Sequence, residues 1–155
     1  GKIHLMDVVT AEKRSSMMSG IRSKNTKGEI VLRKILYSGG YRYRLNIKTI
    51  TGNPDIYIPR KRAAIFFNGC FWHGHQCHFF RIPSTNQLFW SEKIRKNIER
   101  DNFVMNQLIE EGYRIAIIWE CSMRGKKRIG DDKISSALFD WLESEDKKIE
   151  IMGAK

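Results

Sequence analysis

The chain has 155 residues, with 28 Lys+Arg against 17 Asp+Glu for a net charge of +11, and a pI of 9.8. Apolar residues make up 41%, enough for one core, which excludes a disordered, purely solvating chain. The most apolar stretch, Ile115-Ala116-Ile117-Ile118-Trp119, is far shorter than the ~20 residues a helix needs to cross a bilayer, so the charge excess points to a polyanionic partner, nucleic acid first and an anionic membrane surface second.

In chain order, Gly1-Lys2-Ile3-His4-Leu5 before Met6 reads as a tag remnant, and residues 6–155 as a single domain with an N-terminal basic helical arm over 6–25. A helix is predicted over 10–22, with Thr10 as its N-cap. Thr26-Lys27-Gly28-Glu29 fits a capping box, in which Thr and Glu each satisfy an otherwise orphaned amide. The helix that follows is predicted to run to Ser38 and stop at Gly39-Gly40. Alternation predicts a strand over Tyr41–Leu45, and a second is bounded by Pro54 and Pro59 over Asp55–Ile58. Ala63–Phe67 is apolar on both faces and therefore central. After a dense loop from 68 to 85, a long helix is predicted over Asn86–Glu111, then a buried strand over Tyr113–Trp119, related to the third by a parallel crossover. The last helix starts at Asp131-Asp132, acids suited to the positive end of its dipole. Its apolar positions Ile134, Ala137, Leu138, Trp141 and Leu142 share one face. The fold class is α/β, a central mixed sheet with helices on both faces.

Charge is segregated along this layout. Between Ala11 and Lys48 there are ten basic residues and two acidic ones, whereas Asp131–Glu150 holds seven acids and three lysines. The basic excess falls on the N-terminal part, the long helix and the run Arg124-Gly125-Lys126-Lys127-Arg128, a distribution that favours a nucleic-acid face.

Two motifs carry chemistry. Cys70-Phe71-Trp72-His73-Gly74-His75-Gln76-Cys77-His78 packs two Cys and three His into nine residues. Structural zinc takes four such ligands in a closed tetrahedron. Cys70 and Cys77 supply two, His75 or His78 a third. The fourth is Cys121, which lands beside the loop if the strands ending near Phe67 and Trp119 are parallel neighbours. Three cysteines form no disulfide framework and suit a reducing cytoplasm. Upstream, Asn53-Pro54-Asp55-Ile56 sets a carboxylate at a strand start. An Asp, a divalent metal and a histidine near a phosphate can hydrolyse a phosphodiester, the histidine taking the proton of the attacking water. His73 is the candidate base, being spare if His75 binds zinc. The aromatics Phe71, Trp72 and Trp90 are candidates for wedges between base pairs. Trp90, Lys93, Asn97 and Asp101 are spaced to share one helix face.

Over nearly all of the chain after Met6, the sequence resembles the very short patch repair (Vsr-type) DNA mismatch endonucleases, a branch of the restriction-endonuclease-like PD-(D/E)XK nucleases. The resemblance rests on Pro54-Asp55, on Phe66-Phe67-Asn68-Gly69-Cys70-Phe71-Trp72-His73-Gly74-His75-Gln76-Cys77, on Phe89-Trp90-Ser91-Glu92-Lys93-Ile94-Arg95-Lys96-Asn97-Ile98-Glu99-Arg100-Asp101, and on Trp119-Glu120-Cys121. It implies a restriction-endonuclease-like fold with a zinc-stapled loop. Asp55 and the main-chain carbonyl of Phe67 would bind catalytic Mg2+, and His73 would activate water. Cys70, His75, Cys77 and Cys121 would hold structural Zn2+. Glu29 matches a family glutamate near the active site. Phe71, Trp72 and Trp90 would intercalate beside a T:G mismatch, Lys93 and Asn97 would contact the mispaired bases, and Met18 would probe from the opposite groove. Cleavage 5′ of the mispaired thymine would start repair of deaminated 5-methylcytosine. The implied partners are double-stranded DNA with a T:G mismatch and mismatch-repair proteins; with no dimer signal in the sequence, the expected unit is a monomer, in the bacterial cytoplasm and associated with the nucleoid. Asn68 departs from the family, whose best-known members carry a second catalytic histidine there. Asn can hydrogen-bond a water or a phosphate oxygen but cannot shuttle a proton. Gly74 and Gln76 also replace histidines. Two rival readings are a zinc-stabilised DNA-binding module without catalysis and a nuclease of the same fold acting on other DNA structures.

Overall fold

The computed structural model describes residues 26–155. The predicted arm and helix, the tag residues and Met18 lie outside the described residues. Helix α1 (Lys27–Ser38) starts where the capping pattern predicts, the Thr26 hydroxyl accepting the Glu29 amide at 3.3 Å. Strands β1 (Arg44–Leu45), β2 (Ile56–Ile58) and β3 (Ala63–Asn68) form an antiparallel unit. Helix α2 (Gln87–Glu110) then crosses over to β4 (Arg114–Trp119), which pairs parallel to β3. Helix α3 (Asp131–Leu142) returns the chain to β5 (Lys148–Ile151), parallel to β4. The strand order 1-2-3-4-5 makes β3 the middle of a mixed sheet. Among the described residues no helix is long and apolar enough to cross a membrane.

Alternation along β3 and β4 divides the core between two faces. Ile65, Ala116 and Ile118 pack with Leu32, Ile35 and Leu36 of α1 and Ile134, Leu138, Trp141 and Leu142 of α3. Ile115, Ile117 and Trp119 pack on the other side with Leu108 and Val104 of α2. Both faces are therefore covered by helices, as a parallel β3–β4–β5 unit requires.

Two elements differ from the sequence reading. The first strand has two residues, not five, because Tyr41 turns into the core and donates its hydroxyl to Glu143 near the end of α3. The edge strand β5 was not predicted. Its two apolar residues, Ile149 and Ile151, are too few to show a period, and pairing with β4 supplies what propensity does not.

Part of the positive charge is spent inside the fold. Arg62 donates to the carbonyls of Glu111 and Gly112 at the end of α2. Arg114 donates to the carbonyls of Trp141, Leu142, Ser144 and Asp146 at 2.6–3.2 Å, its guanidinium lying over the Trp141 ring. Each arginine meets the negative end of a helix dipole. Arg114→Ala is expected to cost about 2–3 kcal/mol, the worth of several charge-assisted bonds reduced by rehydration of the freed carbonyls. Urea unfolding of the DNA-free protein measures this, and a change under ~0.5 kcal/mol, the range of an ordinary surface substitution, would contradict it.

Candidate active site and metal centre

The register of the two middle strands builds the metal centre. Asn68 pairs with Trp119 in parallel, so the chain leaves both strands at the same end. Cys70 and Cys121 stand two residues beyond that rung. The loop after β3 folds back, and the ligand atoms of Cys70, His75, Cys77 and Cys121 lie within 4.8 Å of one another. The His75 Nδ1 is 3.5 Å from the Cys70 sulfur and 3.6 Å from the Cys121 sulfur. A zinc tetrahedron with its usual bond lengths has sulfur–nitrogen edges of about 3.5 Å. The donor set and its spacing fit zinc. His75 lies flat on Trp119 at 4.1 Å, and burial lowers its pKa against the opposing pull of Glu150, which favours the neutral imidazole a metal needs. Burial pushes the Cys70 thiol up, a cost that a cation removes by taking the thiolate. His78 stands outside the cluster with its ring on Phe79, so the third ligand left open by spacing is His75.

Two glycines make the neighbouring geometry possible. Gly74, between the two histidines, has φ +64°, and a Cβ there would meet Ile98 and Ile94 of α2 at 2.5 and 2.9 Å. This turn lets successive histidines serve different partners: His75 faces the thiols, while His73 places Nδ1 2.6 Å from the Asp101 carboxylate of α2. Gly28 lies against the Phe67 ring, where a Cβ would come within 2.2 Å. The start of α1 thereby sits on the end of β3 and carries Glu29 toward the carboxylate at β2.

That carboxylate is Asp55, which accepts the Phe67 amide at 2.8 Å. Its pKa is raised to about 7, chiefly by burial, with Glu29 adding to the rise and the Phe67 hydrogen bond opposing it. Glu29 is itself only 2% exposed. A buried carboxyl and a half-buried one beside a strand end can together hold a divalent cation. A cleft of about 590 Å³ opens beside Glu29 and Phe67, lined also by His73, Phe71, Trp72, Lys27 and Arg124; Asp55 stands behind this cleft, on the Phe67 amide, and does not line it. Asn68 is buried behind it, lining a second cavity of about 370 Å³ that also reaches His73 and Asp101.

The aromatics group at the cleft mouth. The Phe71, Trp72 and Trp90 rings lie 5.3–5.8 Å apart, all three half-buried. Leu88, 88% exposed, and Phe89, 59% exposed, extend the apolar surface at the start of α2. Sequence reasoning missed these two as surface residues, and it missed Asp101 as the partner of His73. The face shared by Trp90, Asn97 and Asp101 was the signal that could have found the latter, since it is the face that grips the loop. Asn97 is 4% exposed and donates to the Trp72 carbonyl at 2.8 Å. Lys93, on the same helix, is half-buried.

Comparison with known proteins agrees with this architecture. A family model described as DNA mismatch endonuclease Vsr matches residues 6–79. The type II nicking enzyme V.NmeAIP of Neisseria meningitidis serogroup A is 43% identical over 122 residues, covering 79% of this chain and 87% of that one. The DNA mismatch endonuclease Vsr of Escherichia coli K12 is 37% identical over 138 residues, 89% of this chain and 88% of its own. The type II nicking enzyme V.XorIIP of Xanthomonas oryzae pv. oryzae is 41% identical over 119 residues, 77% and 88% of the two chains.

Proposed function

The chain belongs to the Vsr family of DNA mismatch endonucleases, so it is a DNA endonuclease with a restriction-endonuclease-like fold, and we propose that it nicks duplex DNA at T:G mismatches in a Mg2+-dependent reaction. The cut would fall 5′ of the mispaired thymine and start very short patch repair of deaminated 5-methylcytosine. The observation that carries this reading is the single cleft in which Glu29, Phe67 and His73 stand beside Phe71 and Trp72. Groups suited to phosphodiester chemistry and rings suited to opening a base stack occupy one place.

In this reading Asp55 and the Phe67 main-chain carbonyl hold Mg2+, with Glu29 reinforcing the negative field. The metal supplies charge neutralisation at the phosphoryl oxygens. His73 takes the proton of the attacking water. Asp101 engages Nδ1 of His73, so it holds the ring in the tautomer that leaves Nε2 basic and stabilises the imidazolium once formed. Asn68, unable to carry a proton, offers hydrogen bonds only, so the proton falls to His73. Asp101→Asn is therefore expected to lower the single-turnover nicking rate about 10²-fold while leaving mismatch affinity within about threefold, given what a positioned base contributes. An unchanged rate would remove His73 from that role.

Cys70, His75, Cys77 and Cys121 hold Zn2+, fixing the loop that carries both His73 and the rings. Phe71, Trp72 and Trp90 insert at the mispair, where unstacking costs least. Lys93 contacts the mispaired bases and Met18 approaches from the opposite groove, while Asn97, expected from the resemblance to contact the bases too, is 4% exposed and bonded to the Trp72 carbonyl, so it supports the loop instead. The partner is duplex DNA in the bacterial cytoplasm, with mismatch-repair proteins downstream. A panel of T:G, fully matched and four-way-junction substrates tests the assignment. Cutting of the T:G duplex alone supports it. Preferential cutting of junctions, or binding without cutting, would replace it with the corresponding rival.

A further inference from the structure

We propose that Asn97 and Arg100 form a latch that holds the aromatic wedge in place, with Arg100 as the positioning residue that decides which end of the Asn97 amide faces the loop. The inference rests on the wedge reading for its effect on mismatch recognition, and on the geometry alone for the latch.

The two residues are one turn apart on α2. The Asn97 Nδ2 donates to the Trp72 carbonyl at 2.8 Å, and Arg100 Nη2 donates to the Asn97 Oδ1 at 2.8 Å. A carbonyl only accepts and a guanidinium only donates, so the two partners together dictate the amide's orientation. Trp72's carbonyl belongs to the peptide that joins Trp72 to His73. The latch therefore fixes the junction between the rings that would open the stack and the histidine that would accept the proton. Helix α2 grips this loop at three heights: Trp90 on Phe71 and Trp72, Asn97 on the Trp72 carbonyl, and Asp101 on His73. Asn97 is 4% exposed, while Arg100 is exposed. Without Arg100, the Asn97 oxygen loses its donor and the amide is free to turn that oxygen toward the Trp72 carbonyl, where the two acceptors repel. The wedge then has to be ordered during binding, which weakens recognition.

Arg95 supplies the control. It sits on the same helix but, among the described residues, pairs with Glu92 and Glu99 on the helix surface. Arg95→Ala removes the same charge and no loop contact. The ratio of T:G to C:G duplex affinity, measured at one salt concentration, is expected to fall about tenfold in Arg100→Ala and to stay within about twofold in Arg95→Ala. Arg100→Gln keeps a donor without the charge and is expected to recover most of the ratio. In DNA-free protein, acrylamide quenching reports mainly Trp72 and Trp90, because Trp119 and Trp141 are buried. Quenching is expected to rise in Arg100→Ala and not in Arg95→Ala. Equal quenching in the two variants would overturn the latch. A wild type that fails to discriminate T:G from C:G would overturn the wedge reading instead, with the quenching difference still reporting the latch.

Discussion

Replacing Asp55 with Asn is expected to abolish nicking and, at the same time, to make the protein more stable at neutral and alkaline pH. The first effect follows from the proposed cation site. Asn keeps an oxygen for the Phe67 amide that Asp55 accepts at 2.8 Å, so the strand end is preserved, but it offers no charge to a divalent metal. Loss of metal-borne charge stabilisation is worth several kcal/mol, and about 4 kcal/mol corresponds to a 10³-fold slower step. Affinity for a matched duplex, set by phosphate contacts, is expected to stay within about threefold. The second effect follows from linkage. The folded pKa of about 7 lies well above the ordinary carboxylate value of 3.8, and burial is the main cause. Between those values the folded chain binds more protons than the unfolded one, so wild-type stability falls as pH rises from about 4 to 7, at up to ~1.4 kcal/mol per unit. Asn has no such slope. At pH 8 without Mg2+, urea unfolding is expected to find Asp55→Asn more stable by roughly 2 kcal/mol. Mg2+ is expected to stabilise the wild type alone and narrow the gap. A variant that still nicks, or one whose stability tracks pH as the wild type does, would remove Asp55 from the site.

The largest structural effect is expected from Cys121→Ser. Cys121 is 2% exposed and stands 3.6 Å from the His75 nitrogen, and it is the one cluster member supplied from outside the loop. Without it, zinc would keep three ligands from a single loop and lose the tie to β4. Zinc content by mass spectrometry under native conditions is expected to fall from one per chain to near zero. The melting temperature is expected to drop by roughly 10 °C, since metal binding is coupled to folding and ~1 kcal/mol shifts a domain of this size by 2–4 °C. Trp72 and His73 ride on the same loop, so mismatch binding is expected to fail along with nicking. Wild type stripped with a strong chelator should match the variant. Full zinc occupancy in Cys121→Ser would contradict the four-ligand assignment.

The Cys3His cluster was readable in advance because it depends on a sheet-level property. Two apolar runs separated by a long amphipathic helix imply parallel neighbours, and parallel neighbours place Cys70 and Cys121 at the same edge. The observed rung Asn68–Trp119 is that register. Spacing alone did not choose between His75 and His78, because the choice turns on the left-handed backbone at Gly74; the family resemblance named His75, and it is the histidine in the cluster. Asp101 escaped for a related reason. It lies 28 residues from His73, and the pairing depends on the phase of α2 against the loop. Glu29 was readable as a capping acid and, by resemblance, as an active-site neighbour, but its burial was not, since it depends on how the start of α1 seats Gly28 against the Phe67 ring. Strand β5 illustrates the limit of periodicity: Lys148-Ile149-Glu150-Ile151 has the charge of an exposed edge and becomes a strand by pairing with β4. Arg62 and Arg114, which close helix ends, lie outside the segments on which the charge pattern places the nucleic-acid face.

The central claim is that one cleft joins metal-dependent cleavage to recognition of a mispair. The most direct measurement uses two end-labelled duplexes that differ at a single pair, T:G against C:G, each incubated with Mg2+ or with EDTA, and maps every break to the nucleotide. The account predicts one nick, on the thymine strand, immediately 5′ of the mispaired T, in the Mg2+ sample of the T:G duplex and nowhere else. Equal cutting of both duplexes, or a nick that persists in EDTA, would contradict it.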